Sequence, residues 1–266
     1  MEKRFLAPKE IANTIVNVGV VRANLKTTPM IILGIFAGIF IALGGLGNII
    51  VSQTLANIDP GLAKFAGASV FPVGLMLVVI AGAELFTGNN LMTLSLMNKK
   101  ITLSQMFRNW GIVWVANFVG SVILAGIVFY GGVLSGDAGI KAIAIAESKV
   151  NLDIISLIMR GILCNAIVVL AVWLATSAQD VISKIFACWF PIMLFVLCGF
   201  EHSVANMFFI PMGMLLGAEV TIGQLIYNLL FVTIGNIIGG GIIVPFMYQH
   251  AYLESDRKAA LAEANK

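Results

Sequence analysis

The stretches ITLSQMFRNWGIVWVANFVGS (101–121) and VTIGQLIYNLLFVTIGNIIGG (220–240) carry the same residues in the same order. Thr102, Gln105, Asn109, Asn117 and Gly120 recur 119 residues later as Thr221, Gln224, Asn228, Asn236 and Gly239. Both are apolar, and each is long enough to cross roughly 30 Å of hydrocarbon as a helix, which takes about 20 residues. A second set of matches lies just upstream. Phe71-Pro72 returns as Phe190-Pro191, and Gly82, Glu84 and Asn89 of GAELFTGN (82–89) return as Gly199, Glu201 and Asn206 of GFEHSVAN (199–206). The chain is therefore read as two related halves.

The composition gives the solvent. The 266 residues are 59% hydrophobic and only 11% charged, whereas a soluble domain carries about a quarter charged residues. An integral membrane protein follows, and the absence of short alternating segments excludes a β-barrel. Six apolar segments span roughly 30–51, 69–97, 106–130, 153–176, 185–216 and 224–248. The second and fifth are overlong and interrupted by Gly, Pro and polar residues. Three crossings separate the matching segments, so the halves run in opposite directions. The expected fold is all-α: six transmembrane helices in an inverted repeat of three plus three, with broken second and fifth helices meeting at mid-depth.

Lysines and arginines orient this plan. Lys3, Arg4, Lys9, Arg22, Lys26, Lys99, Lys100, Arg108, Lys184, Arg257, Lys258 and Lys266 fall on one side, against Lys64, Lys141 and Lys149 on the other. Both termini are expected on the cytoplasmic face of the cell (inner) membrane. Residues 1–28 read as a cytoplasmic segment whose Ile11, Ile15, Val18, Val21 and Leu25 form an interfacial amphipathic helix. Residues 29–250 form the membrane domain and 251–266 a cytoplasmic tail. The N-terminal MEKRFLAPKEIANTIVNVG lacks a long apolar core and cleavage site, so no leader is expected to be removed. Cys164, Cys188 and Cys198 are odd in number and lie in apolar runs, which fits packing rather than a disulfide or zinc framework. No metal, cofactor or nucleic-acid partner is indicated.

Ionisable groups inside a membrane normally face a cavity or a partner, and Glu84, Glu201 and His202 fall near the middle of the two overlong segments. Breaking a helix there creates an N-terminus whose N–H groups attract an anion; Thr87, Asn89, Asn90, Ser203 and Asn206 are residue types that cap such ends. His202 is the side chain there that changes charge near neutral pH, or else it caps a neighbouring span. Glu84 and Glu201 read as support for the loops, bonding their N–H groups. Asn165 and Asn236 join helices by hydrogen bonds or line a pore. Lys149 draws anions into a vestibule or is an ordinary solvated lysine. The glycines at 34, 38, 44, 45, 47, 235 and 239–241 permit close helix packing.

At GAELFTGN (82–89), RGILCNAIVVLAVW (160–173), GFEHSVANMFFIPMG (199–213) and VTIGNIIGGG (232–241), the chain resembles the formate/nitrite transporter family over nearly its whole length. The resemblance implies an aquaporin-like fold, a homopentamer, and in each protomer a pore for small monovalent anions of weak acids: formate, nitrite or hydrosulfide. The hydrosulfide branch is the nearer likeness. The family resemblance implies a central His202, Thr87 on the loop breaking the second span, and apolar constrictions from Leu75, Phe195 and Val168 with Phe71 and Leu85. It also implies a vestibule Lys149, pore amides Asn165 and Asn236, and loop support from Glu84, Glu201 and Ser203. Permeation past His202, with or without proton coupling, is the expected activity. An aquaporin-like channel for neutral solutes is the alternative, although no paired NPA motif occurs. An enzyme using Glu201 with His202, or a metal site of His202 with Cys198, lacks a second ligand cluster.

Overall fold

The structure is a computed structural model that describes residues 5–254, so Lys3, Arg4 and most of the expected tail, with Arg257, Lys258 and Lys266, lie outside the described residues. Helix α1 (Pro8–Ala23) leads into α2 (Thr27–Ser52), the first span. The second span is α3 (Pro60–Val70), α4 (Val73–Met76) and a π-helical turn, Leu77–Gly82, followed after a break by the short helices α5 (Phe86–Asn89) and α6 (Met92–Met97). Helix α7 (Leu103–Tyr130) is the third span, α8 (Asp137–Val150) lies before the fourth, and α9 (Ile154–Ser177) is the fourth. The fifth is split into α10 (Val181–Leu197) and α11 (Ser203–Leu215). The sixth runs from α12 (Ile222–Asn236) through a π-turn, Ile237–Ile243, to α13 (Val244–Tyr248).

The repeat is visible in how these helices start and touch. Thr102 and Thr221 each cap their helix in a reciprocal box with Gln105 and Gln224, which satisfies N–H groups that have no intrahelical partner. The two main helix pairs, α2 with α7 and α9 with α12 and the π-turn that follows it, close on matched glycines. A methyl group on Gly120 would collide with the carbonyl of Ile35, and one on Gly239 with the carbonyl of Ile162. Small residues let backbones approach where lipid supplies no hydrophobic drive for association. The other faces of these helices expose Ile31, Phe36, Val115 and Val119 from the first pair and Met159, Leu163, Ile226 and Leu230 from the second, as contact with lipid requires.

Several expectations change. The second span starts at Pro60, where Asp59 accepts from the N–H of Leu62 and proline takes the first helical position, rather than near residue 69. Helix α8 was not anticipated: its buried stripe of Ala138, Ala142, Ala146 and Val150 is too small-chained to stand out by hydropathy. Helix α1 is packed into the protein, with Ile11, Ala12, Ile15, Val16, Gly19 and Ala23 buried and the Ser95 hydroxyl bonded to the carbonyl of Val16. Val18 and Val21, placed in the apolar stripe by spacing, are exposed. Cys164 and Cys188 are buried but Cys198 is exposed, so the third cysteine is not core filling.

Candidate conduit between the two broken helices

Each break is built the same way. Gly82 (φ +92°) and Gly199 (φ +69°) end the upstream helices in the left-handed region that glycine enters without strain. The next residues are extended, and their backbone is bonded to a neighbouring first or fourth span: Glu84 N–H to the Leu33 carbonyl at 3.2 Å, Glu201 N–H to that of Arg160 at 3.3 Å. A single amide from α7 or α12 ties the rest. Asn117 donates to the carbonyls of Gly34 (2.8 Å) and Glu84 (2.9 Å) and accepts from the N–H of Phe86 (2.9 Å). Asn236 donates to those of Gly161 (2.9 Å) and Glu201 (3.0 Å) and accepts from the N–H of Ser203 (2.9 Å). Irregular backbone survives at membrane depth only where protein satisfies it in this way.

The carboxylates are not spent on loop N–H groups. Glu84 accepts from the Asn89 amide at 2.6 Å and faces Arg22 Nε at 3.4 Å. Glu201 accepts from the Asn206 amide at 2.7 Å and from Lys149 Nζ at 3.0 and 3.1 Å. Asn89 and Asn206 also donate to Asn109 and Asn228, each at 2.8 Å, and these two donate to the carbonyls of Arg22 (3.3 Å) and Lys149 (2.9 Å). Each buried negative charge therefore has a cation, which is the condition for keeping it out of water. Arg22 on α1 corresponds to Lys149 on α8, and Leu33-Gly34 to Arg160-Gly161, at one offset of 127 residues. First and fourth spans, with the helices preceding them, complete the repeat.

The two halves differ at the centre. Leu85 and His202 hold the matched positions before α5 and α11; Leu85 makes no side-chain cap, whereas His202 Nδ1 accepts the N–H of Ala205 at 3.1 Å. Leu85 and His202 thus hold the cap positions, and the free N–H groups expected there are taken by Asn117, Asn236 and the imidazole rather than aimed at a ligand. A backbone N–H can only donate, so Nδ1 carries the lone pair and the neutral ring has its proton on Nε2. Nε2 lies 2.8 Å from Thr87 Oγ1, which accepts from it and keeps its own hydroxyl proton unspent. The support expected from Ser203 comes through its backbone; its hydroxyl is buried without a partner.

His202 lines a small gap that shares residues with two larger cavities. A gap of about 10 Å³ is lined by Phe71, Leu75, Leu85, Val168, Phe195 and His202, together with Ile41 and Ile192. That is the room of about one water, and the imidazole is the one polar side chain on its wall. Leu75 and Leu85 also line a cavity of about 580 Å³ that contains Arg22, Glu84 and Lys184, with α1 forming a wall. Phe71, Phe195 and His202 also line a cavity of about 470 Å³ that contains Lys149 and Glu201. Phe71 meets Phe195 edge-on, ring centres 5.7 Å apart, and the His202 ring stacks on Phe195 at 5.8 Å.

A family model described as formate/nitrite transporter matches residues 9–250. The chain belongs to the formate/nitrite transporter family. It is 41% identical over 252 residues to the formate channel BtFdhC of Bacillus thuringiensis, covering 93% of this chain and 96% of that one. A solved FNT family ion channel superposes with a TM-score of 0.86 at 30% identity, covering 91% of this chain and 98% of the other. A pentameric formate channel with formate bound gives 0.77 at 32%, covering 86% and 98%. The protein is a multi-pass membrane transporter of this family, whose members are channels and transporters, so the acid/base enzyme reading of Glu201 with His202 falls away.

Among the expected site residues, the five constriction side chains and His202 meet at one point, with Thr87 bonded directly behind the ring. Lys149 and Glu201 meet in the cavity of about 470 Å³ and Glu84 lies in that of about 580 Å³. Asn165 and Asn236 line none of these cavities; Asn165 donates to Asn90 Oδ1 and to the Asn236 carbonyl, both at 2.8 Å, so both amides stand behind the wall as braces. Sequence reasoning passed over Arg22, Asn109, Asn117 and Asn228. The three asparagines were in the repeat itself, which was the available signal; Arg22 had none, because α1 and α8 share no obvious residues.

Proposed function

We propose that this chain is a channel for formate and related monovalent weak-acid anions, assembled as a homopentamer with a conduit through every protomer and both termini cytoplasmic in the inner (plasma) membrane. The observation that carries the reading is the Nε2–H of His202 and the hydroxyl of Thr87 joined at 2.8 Å beside an apolar gap of about 10 Å³ between two vestibules. The formate channel of Bacillus thuringiensis and the formate-bound pentameric channel support formate, ahead of nitrite and of the hydrosulfide suggested by sequence likeness.

Moving an isolated ion into a dry, low-dielectric gap costs tens of kcal/mol in the idealised Born picture, so the conduit must offset that cost where water is lost. Each mouth is net positive, with Arg22 and Lys184 against Glu84 on one side and Lys149 with Lys64, Lys141 and Arg160 against Glu201 on the other. At the gap the anion accepts from His202 Nε2–H, the one polar hydrogen on its wall, in place of the Thr87 oxygen behind the ring. The Ala205 bond keeps the ring neutral, so the imidazole stabilises the anion as a donor; a proton accompanying it comes from vestibule water and returns to water on the other side. Formate flux into proteoliposomes at two pH values, beside nitrite, hydrosulfide and glycerol, tests the reading. Formate is expected to pass at least tenfold faster than glycerol, and His202→Phe to lower the formate flux at every pH from 5 to 8. Glycerol passage as fast as formate, or His202→Phe flux equal to that of the unmodified protein across that range, refutes it.

A further inference from the structure

Positive charge gathers where the topology bias does not place it. Lys64 on α3 and Lys141 and Lys149 on α8 are all the lysines and arginines in the connections on the charge-poor side, and all three line the 470 Å³ vestibule together with Arg160 at the start of α9. Segregation of charge across the membrane explains a surplus on the opposite face, not a convergence here. Only Lys149 is committed, to Glu201. Among the described residues the side chains of Lys64, Lys141 and Arg160 have no ion-pair or hydrogen-bond partner. This vestibule holds four cations against one carboxylate; the other holds Arg22 and Lys184 against Glu84, with Arg22 paired to Glu84 and Lys184 Nζ bonded to the Ala175 carbonyl.

A one-charge, three-heavy-atom ion needs neither three spare cations nor this volume. At about 30 Å³ per water in the liquid, the vestibule accommodates a solute several times larger than formate. We propose that the Lys149-side vestibule is a binding site for a small multivalent oxyanion, a soluble di- or tricarboxylate or a phosphate, which occludes the conduit from that side alone. Its charges pair with Lys64, Lys141 and Arg160, and its body lies over Phe71, Phe195 and Phe209, the ring above which Lys149 Nζ sits at 5.5 Å. Too large and too charged for the 10 Å³ gap beyond, it stops there. Spare cations around a concave, partly apolar mouth focus potential and select for valence. The occlusion rests on the conduction reading above; the binding does not.

The full-length channel in planar bilayers, carrying formate current at pH 7.5 and constant ionic strength, tests this with citrate added to each side in turn. Citrate on one side is expected to cut the current at least fivefold, with less than a twofold effect from the other. Succinate should need about ten times the concentration, and methanesulfonate should have no effect. Replacing Lys64, Lys141 and Arg160 by glutamine should raise the half-blocking citrate concentration at least tenfold; Lys141→Gln alone, should the triple variant not assemble, should raise it two- to threefold. Equal block from both sides, or an unchanged half-blocking concentration in the variants, overturns the proposal. Absence of formate current in the unmodified protein counts against conduction instead, and radiolabelled citrate binding then decides the site, with binding equal in the unmodified protein and the variants overturning it.

Discussion

Asn117→Ala and Asn236→Ala should weaken the protein by nearly the same amount. Each substitution removes three hydrogen bonds of 2.8–3.0 Å and strands one N–H, of Phe86 or Ser203, with two carbonyls at a helix break. Side-chain hydrogen bonds between membrane helices average about 0.6 kcal/mol and reach about 2. Three of them lost together put the destabilisation at about 2–6 kcal/mol. By the scaling for chains of 150–250 residues, that is roughly 4–24 °C in unfolding midpoint. The measurement is thermal unfolding of the detergent-solubilised protein, followed by light scattering or tryptophan fluorescence. Asn165→Ala, which removes the two hydrogen bonds donated to Asn90 and to the Asn236 carbonyl, serves as a scale and should cost about two thirds as much. Formate flux separates the pair: Ser203 adjoins His202, so Asn236→Ala should lower flux more than Asn117→Ala. Midpoint losses under about 2 °C for both, or a loss confined to one of them, would show that the amides do not hold the breaks.

Lys149→Ala leaves the Glu201 carboxylate without its cation. Removing one partner of a fully buried pair costs about 3–5 kcal/mol; with 14% of the lysine side chain still exposed, about 2–4 is expected, and adding Glu201→Gln should recover at least ~1 kcal/mol in a double-mutant cycle. An additive cycle would refute the pairing. At the aqueous edge of the fourth span, the Ser156 hydroxyl and N–H, then the Ile155 N–H, hold exposed Asp153 below its ordinary carboxylate pKa. A carboxylate lowered in the folded state contributes stability above its unfolded pKa and loses it as pH falls through the folded value. Melting curves between pH 3 and 6 should therefore show a steeper acid-side loss for the unmodified protein than for Asp153→Asn; parallel curves would count against it.

The six spans and the two breaks were legible because they rest on strong, local signals: long apolar runs, matched glycines at 82 and 199, and charges stranded in hydrocarbon at 84, 201 and 202. Repeated asparagines announced the relation between halves. What they do was not legible, since an amide that braces a broken backbone and one that lines a pore look alike in sequence, and only the bonds of Asn117, Asn165 and Asn236 separate the two. Helix α8 was hidden because its buried face is alanine and glycine, whose burial changes hydropathy little. Arg22 was read as the polar face of a surface helix because nothing local shows that α1 turns that face inward. The correspondence of Arg22 with Lys149 exists only in three dimensions: two different cations answer two identical glutamates.

The departures from that two-fold relation are as informative as the agreement. The scaffold of each break is duplicated down to individual bonds, and it leaves both backbones satisfied without calling on the centre. At the centre the halves diverge: His202 faces the position of Leu85, and Thr87 that of Val204. A symmetric pair of leucines would give a closed apolar plug, and a symmetric pair of histidines would place two imidazoles and their water in a gap of about 10 Å³, more polar surface than that volume can hydrate. One imidazole held by its own helix at Nδ1, with a threonine of the opposite half at Nε2, presents a single oriented donor in an otherwise dry ring. The duplicated braces fix where the two half-helices end, and the unmatched pair uses that fixed position. The 2.8 Å bond between Thr87 and His202 is therefore the point at which the two copies of one structural device meet.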